Sequence, residues 1–179
     1  MKKLTGFLLI ALLLFCYAGV GQAQDTDTDV HTVTININDI AIIDLEGGDI
    51  TLALTAPDDA GDDPVYDEDA TCYLNYTSVV ASGAEKKITA QITTGTVPAG
   101  ADLKLTAAPA AGEGTSGGQV TLDDLAAKNV ITAIGSCATG TGANDGAQLT
   151  YRLDVEDVTA LLASTNNDVD VTYTITNGP

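Results

Sequence analysis

Apolar and polar residues alternate along most of this chain, and the alternation limits the folds that it can adopt. From Val30 the sequence VHTVTININ puts His31, Val33, Ile35 and Ile37 on one side of an extended backbone and Thr and Asn residues on the other. The same period of two recurs in Ile50–Thr55, Cys72–Thr77, Lys87–Ile92, Leu103–Leu105, Leu149–Val155 and Val169–Ile175. A period of two is typical of half-buried β-strands.

Many short strands with one apolar face must hide that face against a second layer. The pattern therefore predicts an all-β fold, an immunoglobulin-like antiparallel β-sandwich, with a closed β-barrel as the alternative. Only Leu122–Lys128 and Val155–Ser164 have a helical pattern, each about two turns long, and we expect them at the ends of the sheets. No linker divides the chain, so residues 24–179 are predicted to form a single domain.

The first 23 residues have the pattern of a secretory signal peptide. Lys2 and Lys3 precede an apolar run from Phe7 to Ala18, and the small-x-small pattern Gly21-Gln22-Ala23 follows it. The run is too short to predict a membrane span, so the mature chain is expected to begin at Gln24 without one. We therefore expect a secreted protein that is extracellular or at the cell surface, with the periplasm as the alternative.

Acidic residues dominate the charge of the chain. It contains 7 Lys and Arg residues against 25 Asp and Glu residues, which gives a formal net charge of −18. The predicted leader removes two lysines and no acid, so the mature chain would carry about −20. Such a charge repels nucleic acid and anionic lipid and favours cations and high solubility, so no nucleic-acid partner is expected.

Two of the three cysteines, Cys72 and Cys137, lie outside the predicted leader. An even number of cysteines in an exported chain predicts a disulfide between them. That bridge would close a loop of about 65 residues and contribute roughly 4 kcal/mol in the chain-entropy model. A two-cysteine metal site is the alternative, but the chain offers few other soft ligands, since His31 is its sole histidine.

Seven carboxylates crowd the stretch just before Cys72: Asp58, Asp59, Asp62, Asp63, Asp67, Glu68 and Asp69. Calcium prefers several oxygen ligands, and closely spaced Asp side chains in a loop can provide them. Gly61 and Pro64 provide turns that would gather Asp59, Asp62, Asp63 and Asp67 around one ion. The alternative interpretation is a solvated loop between two strands, and no other cofactor is predicted.

The sequence offers little for enzymatic catalysis. Nucleophilic catalysis by Ser or Cys generally needs a base, and His31 lies on the apolar side of a predicted strand, where a rim or core position is expected. The chain has no Gly-x-Ser-x-Gly, no phosphate-binding glycine loop and no His-Glu-x-x-His. We therefore predict that the protein is not an enzyme.

The leader, the Thr/Ala/Gly-rich strand pattern, the cysteine pair and the closing stretch DVDVTYTIT resemble secreted bacterial pilin-like and spore-coat-U-like subunits. The stretches VTLDDLAAKNVITAIGSCATGTG and GAQLTYRLDV are also similar to those of uncharacterised secreted bacterial proteins. The resemblance is one of pattern and extends over most of the mature chain. It includes no catalytic residue, and it implies a role at the cell surface or in an appendage.

If that resemblance holds, it implies a non-enzymatic structural or adhesive subunit that self-assembles, or joins other surface or matrix proteins, by strand exchange. The segment Asp25–Asp39, DTDTDVHTVTININD, has the makeup of a strand lent to a neighbour. The alternative is that this segment pairs within its own sheet as the first strand. For the whole protein, the alternative function is a monomeric calcium-dependent binding module.

Overall fold

Ten β-strands make up the secondary structure of the computed structural model, which describes residues 28, 30–165 and 167–179. The strands are β1 (Ile40–Glu46), β2 (Asp67–Val79), β3 (Lys86–Thr94), β4 (Ala101–Ala108), β5 (Thr115–Ser116), β6 (Val120–Thr121), β7 (Lys128–Ile134), β8 (Cys137–Ala138), β9 (Ala147–Val155) and β10 (Asp170–Asn177). The predicted leader and Cys16 lie outside the described residues.

The strands form two antiparallel sheets. The first sheet has the order β1-β2-β9-β4-β6, with β8 also pairing with β2, and the second has the order β10-β3-β7-β5. Neither sheet closes on itself, so the prediction of an all-β sandwich is confirmed and the alternative of a closed barrel is wrong. No helix in the described part of the chain is long and apolar enough to cross a membrane.

The core lies between the inward faces of the two sheets. Its largest fully buried side chains are those of Leu74, Ile88, Leu105, Ile131, Ile134, Leu149 and Val130. Burial alternates along the central strands, because each successive side chain points to the opposite face of its sheet. These buried residues belong to residues 37–179, which form one compact unit, and the described residues up to Asn36 belong to another.

Two of the predicted strands are absent, and the alternation does not predict β1, β5, β6, β7 or β8. Residues 31–39 contain no strand, and the first strand described begins at Ile40. Burial alternates along residues 50–54, but these residues join no ladder and only Thr55 forms a bridge, with Val65. The sequence IAIIDLE of β1 was missed because three of its first four residues are large and apolar, which hides the alternation.

Both predicted helices are replaced by turns whose hydrogen bonds explain the difference. Asp123 Oδ1 accepts the backbone N–H groups of Leu125 and Ala126, and Asp157 Oδ1 accepts that of Thr159. Such side-chain bonds give the backbone a local alternative to helical hydrogen bonding. The helix predictions for Leu122–Lys128 and Val155–Ser164 are therefore wrong.

Candidate functional site

The residues just before β1 expose an apolar stripe. We call residues His31–Asn38 the N-terminal segment; Val33, Ile35 and Ile37 in it are 67%, 79% and 81% exposed. His31 is also exposed, so a core position for it is wrong. The segment predicted to be lent begins with three acidic residues that lie outside the described residues: Asp25, Asp27 and Asp29. The N-terminal segment therefore has the alternation of a strand while its apolar side chains face solvent.

The chain is fixed to the sandwich directly after this segment. Lys86 is the first residue of β3 and only 4% exposed, and its ammonium group lies 2.8 Å from Asp39 Oδ1. The same ammonium group donates a hydrogen bond of 3.0 Å to Asn177 Oδ1, near the end of β10. A buried ammonium needs such partners, since an unpaired charge away from water is costly. Asp39 is thereby held between the N-terminal segment and β1.

Four strands end the two sheet orders and differ in length and charge, and two-residue β8, which pairs only with β2, is a further short edge. At one end of each sheet the edge strands are β5 and β6, which are two residues long. At the other end are β1, of seven residues, and β10, of eight. β1 carries Asp44 and Glu46, whereas the single charged residue of β10 is Asp170 at its start. Edge strands expose backbone groups that can pair with another chain, so these differences matter for association.

The four predicted calcium ligands do not converge. Asp59, Asp62 and Asp63 are exposed in the loop that the Thr55–Val65 bridge closes. Asp67 begins β2, where its carboxylate accepts the backbone N–H groups of Ala53 at 2.8 Å and Glu68 at 2.9 Å. Within residues 28, 30–165 and 167–179, no group of three or more His, Cys, Asp or Glu side chains is arranged to hold a metal ion.

The predicted disulfide is absent, and the sheet register explains why. Cys72 is buried in β2 and Cys137 is half-buried in β8, and both are free thiols. Cys137 pairs with Ser78, six residues along β2 from Cys72. At about 3.3 Å per residue, this register separates the cysteines by roughly 20 Å. A disulfide needs Cα atoms no more than about 7 Å apart, so the predicted Cys72–Cys137 bridge is wrong for this fold.

A charged cluster that the sequence analysis did not predict lies where β4 and β9 pair. Asp154 accepts bonds of 2.8 Å from both Lys104 Nζ and Arg152 Nε. The bond from Lys104, and then that from Arg152, lowers the pKa of Asp154. Arg152 also lies over the ring of Tyr66, with its guanidinium carbon 3.6 Å from the ring centre. Lys104 and Arg152 are therefore both engaged in contacts within the chain.

Comparison with protein-family models, curated proteins and solved structures found no match for this chain.

The alternating pattern indicates the N-terminal segment as a strand for lending, but it gives no sign that β10 is an edge strand. One sequence signal could have found it: Val171–Asn177 is the longest part of an edge strand without a charged residue.

Proposed function

We propose that this protein is a non-enzymatic structural or adhesive subunit of the cell exterior, which joins further copies of itself by lending them its N-terminal segment. The observation that carries the proposal is the exposure of Val33, Ile35 and Ile37 in a segment with strand alternation. Fully burying such side chains gains about 1.5–3 kcal/mol each. Pairing with another chain's sheet edge would bury them and satisfy backbone groups on both sides.

The predicted leader supports a location outside the cytoplasm. Copies of the exported chain, with a charge of about −20 each, repel one another over most of their surfaces. The charge therefore favours a small local contact over a broad interface. The N-terminal segment contains no acid, and Asp39, directly after it, is engaged with Lys86. A joint at this segment therefore avoids most of the repulsion.

Size-exclusion chromatography with light scattering, followed by negative-stain electron microscopy, tests assembly of the full chain. We expect oligomers or filaments. Ile35→Asp should convert them to monomers, because it puts a charge on the apolar side of the segment. Ile35→Leu keeps the same position apolar and uncharged and is the matched control, expected to assemble. A wild-type chain that stays monomeric at high concentration, or I35D filaments like those of the wild type, would contradict the proposal.

We propose a monomeric calcium-dependent binding module as the second candidate function. Its support is the exposure of Asp58, Asp59, Asp62 and Asp63 within one short loop, where carboxylates could close around an ion on binding. Melting curves with calcium and with a chelator should then differ by several degrees, and Asp62→Asn with Asp63→Asn should remove the difference. Superimposable curves would eliminate this candidate.

A further inference from the structure

We propose that the acceptor of the lent strand is the free edge of β10 in a second copy of the chain. This inference rests on the proposed function and names the surface where the joint forms. In the joint, the N-terminal segment of one copy would add to the second sheet of the other as a fifth strand beside β10.

Comparison of the described edge strands identifies β10. The edges β5, β6 and β8 are two residues long, too short to pair with the eight residues of the N-terminal segment. β1 is long enough, but it places Asp44 and Glu46 along its edge, and Asp39 and Asp49 flank it. Short strands and charged edges are the usual protections against edge-to-edge pairing. β10 has neither over Val171–Asn177.

The two faces of β10 match the two sides of the N-terminal segment. Val171, Tyr173 and Ile175 pack against the core and stay half-exposed. Thr172, Thr174 and Thr176 point outward and are exposed, and the Thr172 hydroxyl lies 2.8 Å from that of Thr93 on the neighbouring strand. A shift of one residue in register reverses the two faces of an added strand. In one of the two resulting arrangements, Val33, Ile35 and Ile37 would extend the apolar face, and Thr34 and Asn36 would continue the row of threonines.

Charge favours the same pair of surfaces. The N-terminal segment and Val171–Asn177 both lack Asp and Glu, in a chain with 25 acidic residues. Like charges directly opposite each other destabilise a pair of strands, so acid-free strands are the ones that can join copies of this protein. Pairing with β1 would instead place the segment beside the carboxylates of Asp44 and Glu46. The segment contains no Lys or Arg that could form an ion pair with them.

Mixed cysteine cross-linking of the full chain tests the acceptor. All variants carry C16S, C72A and C137S, so that the introduced cysteine is the only thiol. The donor variant adds Asn36→Cys, and three acceptor variants add Thr172→Cys, Thr174→Cys or Thr176→Cys, which together cover the registers of the outward face. Ile42→Cys is the matched control, since Ile42 is an exposed residue of the other long edge strand. The donor carries a mass tag, so a heterodimer identifies pairing between chains and excludes pairing within one chain.

After mild oxidation, we expect at least one β10 acceptor to give about tenfold more heterodimer than I42C, because pairing raises the effective concentration of the two thiols. The donor with Ile35→Asp should lose this excess. Preferential cross-linking to I42C, or equal low yields in samples that still form oligomers, would overturn the β10 inference and leave the proposed function standing. Monomeric wild-type protein without cross-links would overturn both. Melting temperatures of the variants verify that each one is folded.

Discussion

The hydroxyl groups of Tyr151 and Tyr173 lie 2.5 Å apart, one contributed by each sheet. Tyr151 belongs to β9 of the first sheet and Tyr173 to β10 of the second, so this bond connects the layers inside the sandwich. Burial raises the pKa of Tyr151 to about 12, although the bond from Tyr173 works in the opposite direction. Burial, and then the neighbouring Tyr151, raise the pKa of Tyr173 as well.

The tyrosine pair predicts a loss of stability at alkaline pH. Unfolded tyrosines ionise near pH 10, so the pair's contribution is complete below that pH and falls as the pH rises toward 12. Urea unfolding at pH 8 and pH 11 should show that Y151F/Y173F loses about 2–3 kcal/mol less than the wild type over this interval, because each tyrosine loses about 1.4 kcal/mol per pH unit above 10. At pH 8 the variant should be close to the wild type, since both hydrogen-bonding groups are removed together. Equal losses in the two proteins would contradict the prediction.

The cysteine register predicts two free thiols. Burial raises the pKa of both Cys72 and Cys137, and Glu113 adds to the effect at Cys137. The folded chain should therefore react slowly with a thiol reagent, and first at half-buried Cys137. In denaturant without reductant both thiols should titrate, and reductant should leave the melting temperature of the native chain unchanged. A mass lower by two hydrogens with no reactive thiol would refute this.

The ionised carboxylate of Asp154 is expected to stabilise the fold at neutral pH but not at acidic pH. Its pKa is lowered in the folded state, so its contribution is complete above about pH 4 and disappears as the pH falls through the folded value. Asp154→Asn should cost about 1–2 kcal/mol at pH 7, since two charged hydrogen bonds are weakened. Asp102→Asn removes the same charge from a carboxylate 3.9 Å from Lys104 Nζ and should cost less. Urea midpoints at pH 7 and pH 3 measure both, and equal costs at pH 7 would contradict the prediction.

Gly146 and Gly83 form a natural pair for separating steric clash from backbone strain. Both have positive φ, 76° and 77°, but a Cβ at Gly146 would clash with the backbone oxygen of Leu74, whereas nothing lies within 4 Å at Gly83. Gly83→Ala should cost about 1 kcal/mol, from the left-handed backbone alone. Gly146→Ala should cost about 2–4 kcal/mol, because β2 and β9 must also separate. Thermal unfolding of both variants tests this, and similar melting temperatures would show that the strands can adjust.

Period-two alternation was enough to predict the fold class and parts of β2, β3, β4, β9 and β10. It missed β7, where Val130 and Ile131 are consecutive and both buried. The pairing of β3 with β7 is irregular, and Ala133 adopts a φ of 53°, so the simple alternation breaks there. A bulge of this kind depends on the partner strand, which the local sequence does not specify.

The candidate site could be predicted less well, because it depends on which residues the sheets bring together. Counting cysteines indicated an even pair, but only the pairing of β8 with Ser78 of β2 shows that Cys137 is far from Cys72. Likewise, the sequence of the acidic stretch does not indicate that the Asp67 carboxylate accepts hydrogen bonds from backbone N–H groups. Nor does it indicate that Asp62 and Asp63 are exposed. The N-terminal segment was predicted as a strand on its pattern, yet whether a strand finds a partner depends on the other edges.

The hydrogen bonds between Thr55 and Val65, of 3.1 and 2.9 Å, hold together the two ends of the acidic loop. Residues 56–64 therefore form a mostly exposed loop whose two ends are held together. The loop is separated in sequence from the N-terminal segment. Such loop tips tolerate inserted sequence well. If the proposed assembly forms, this loop is the place to graft a foreign epitope, which every subunit would then display.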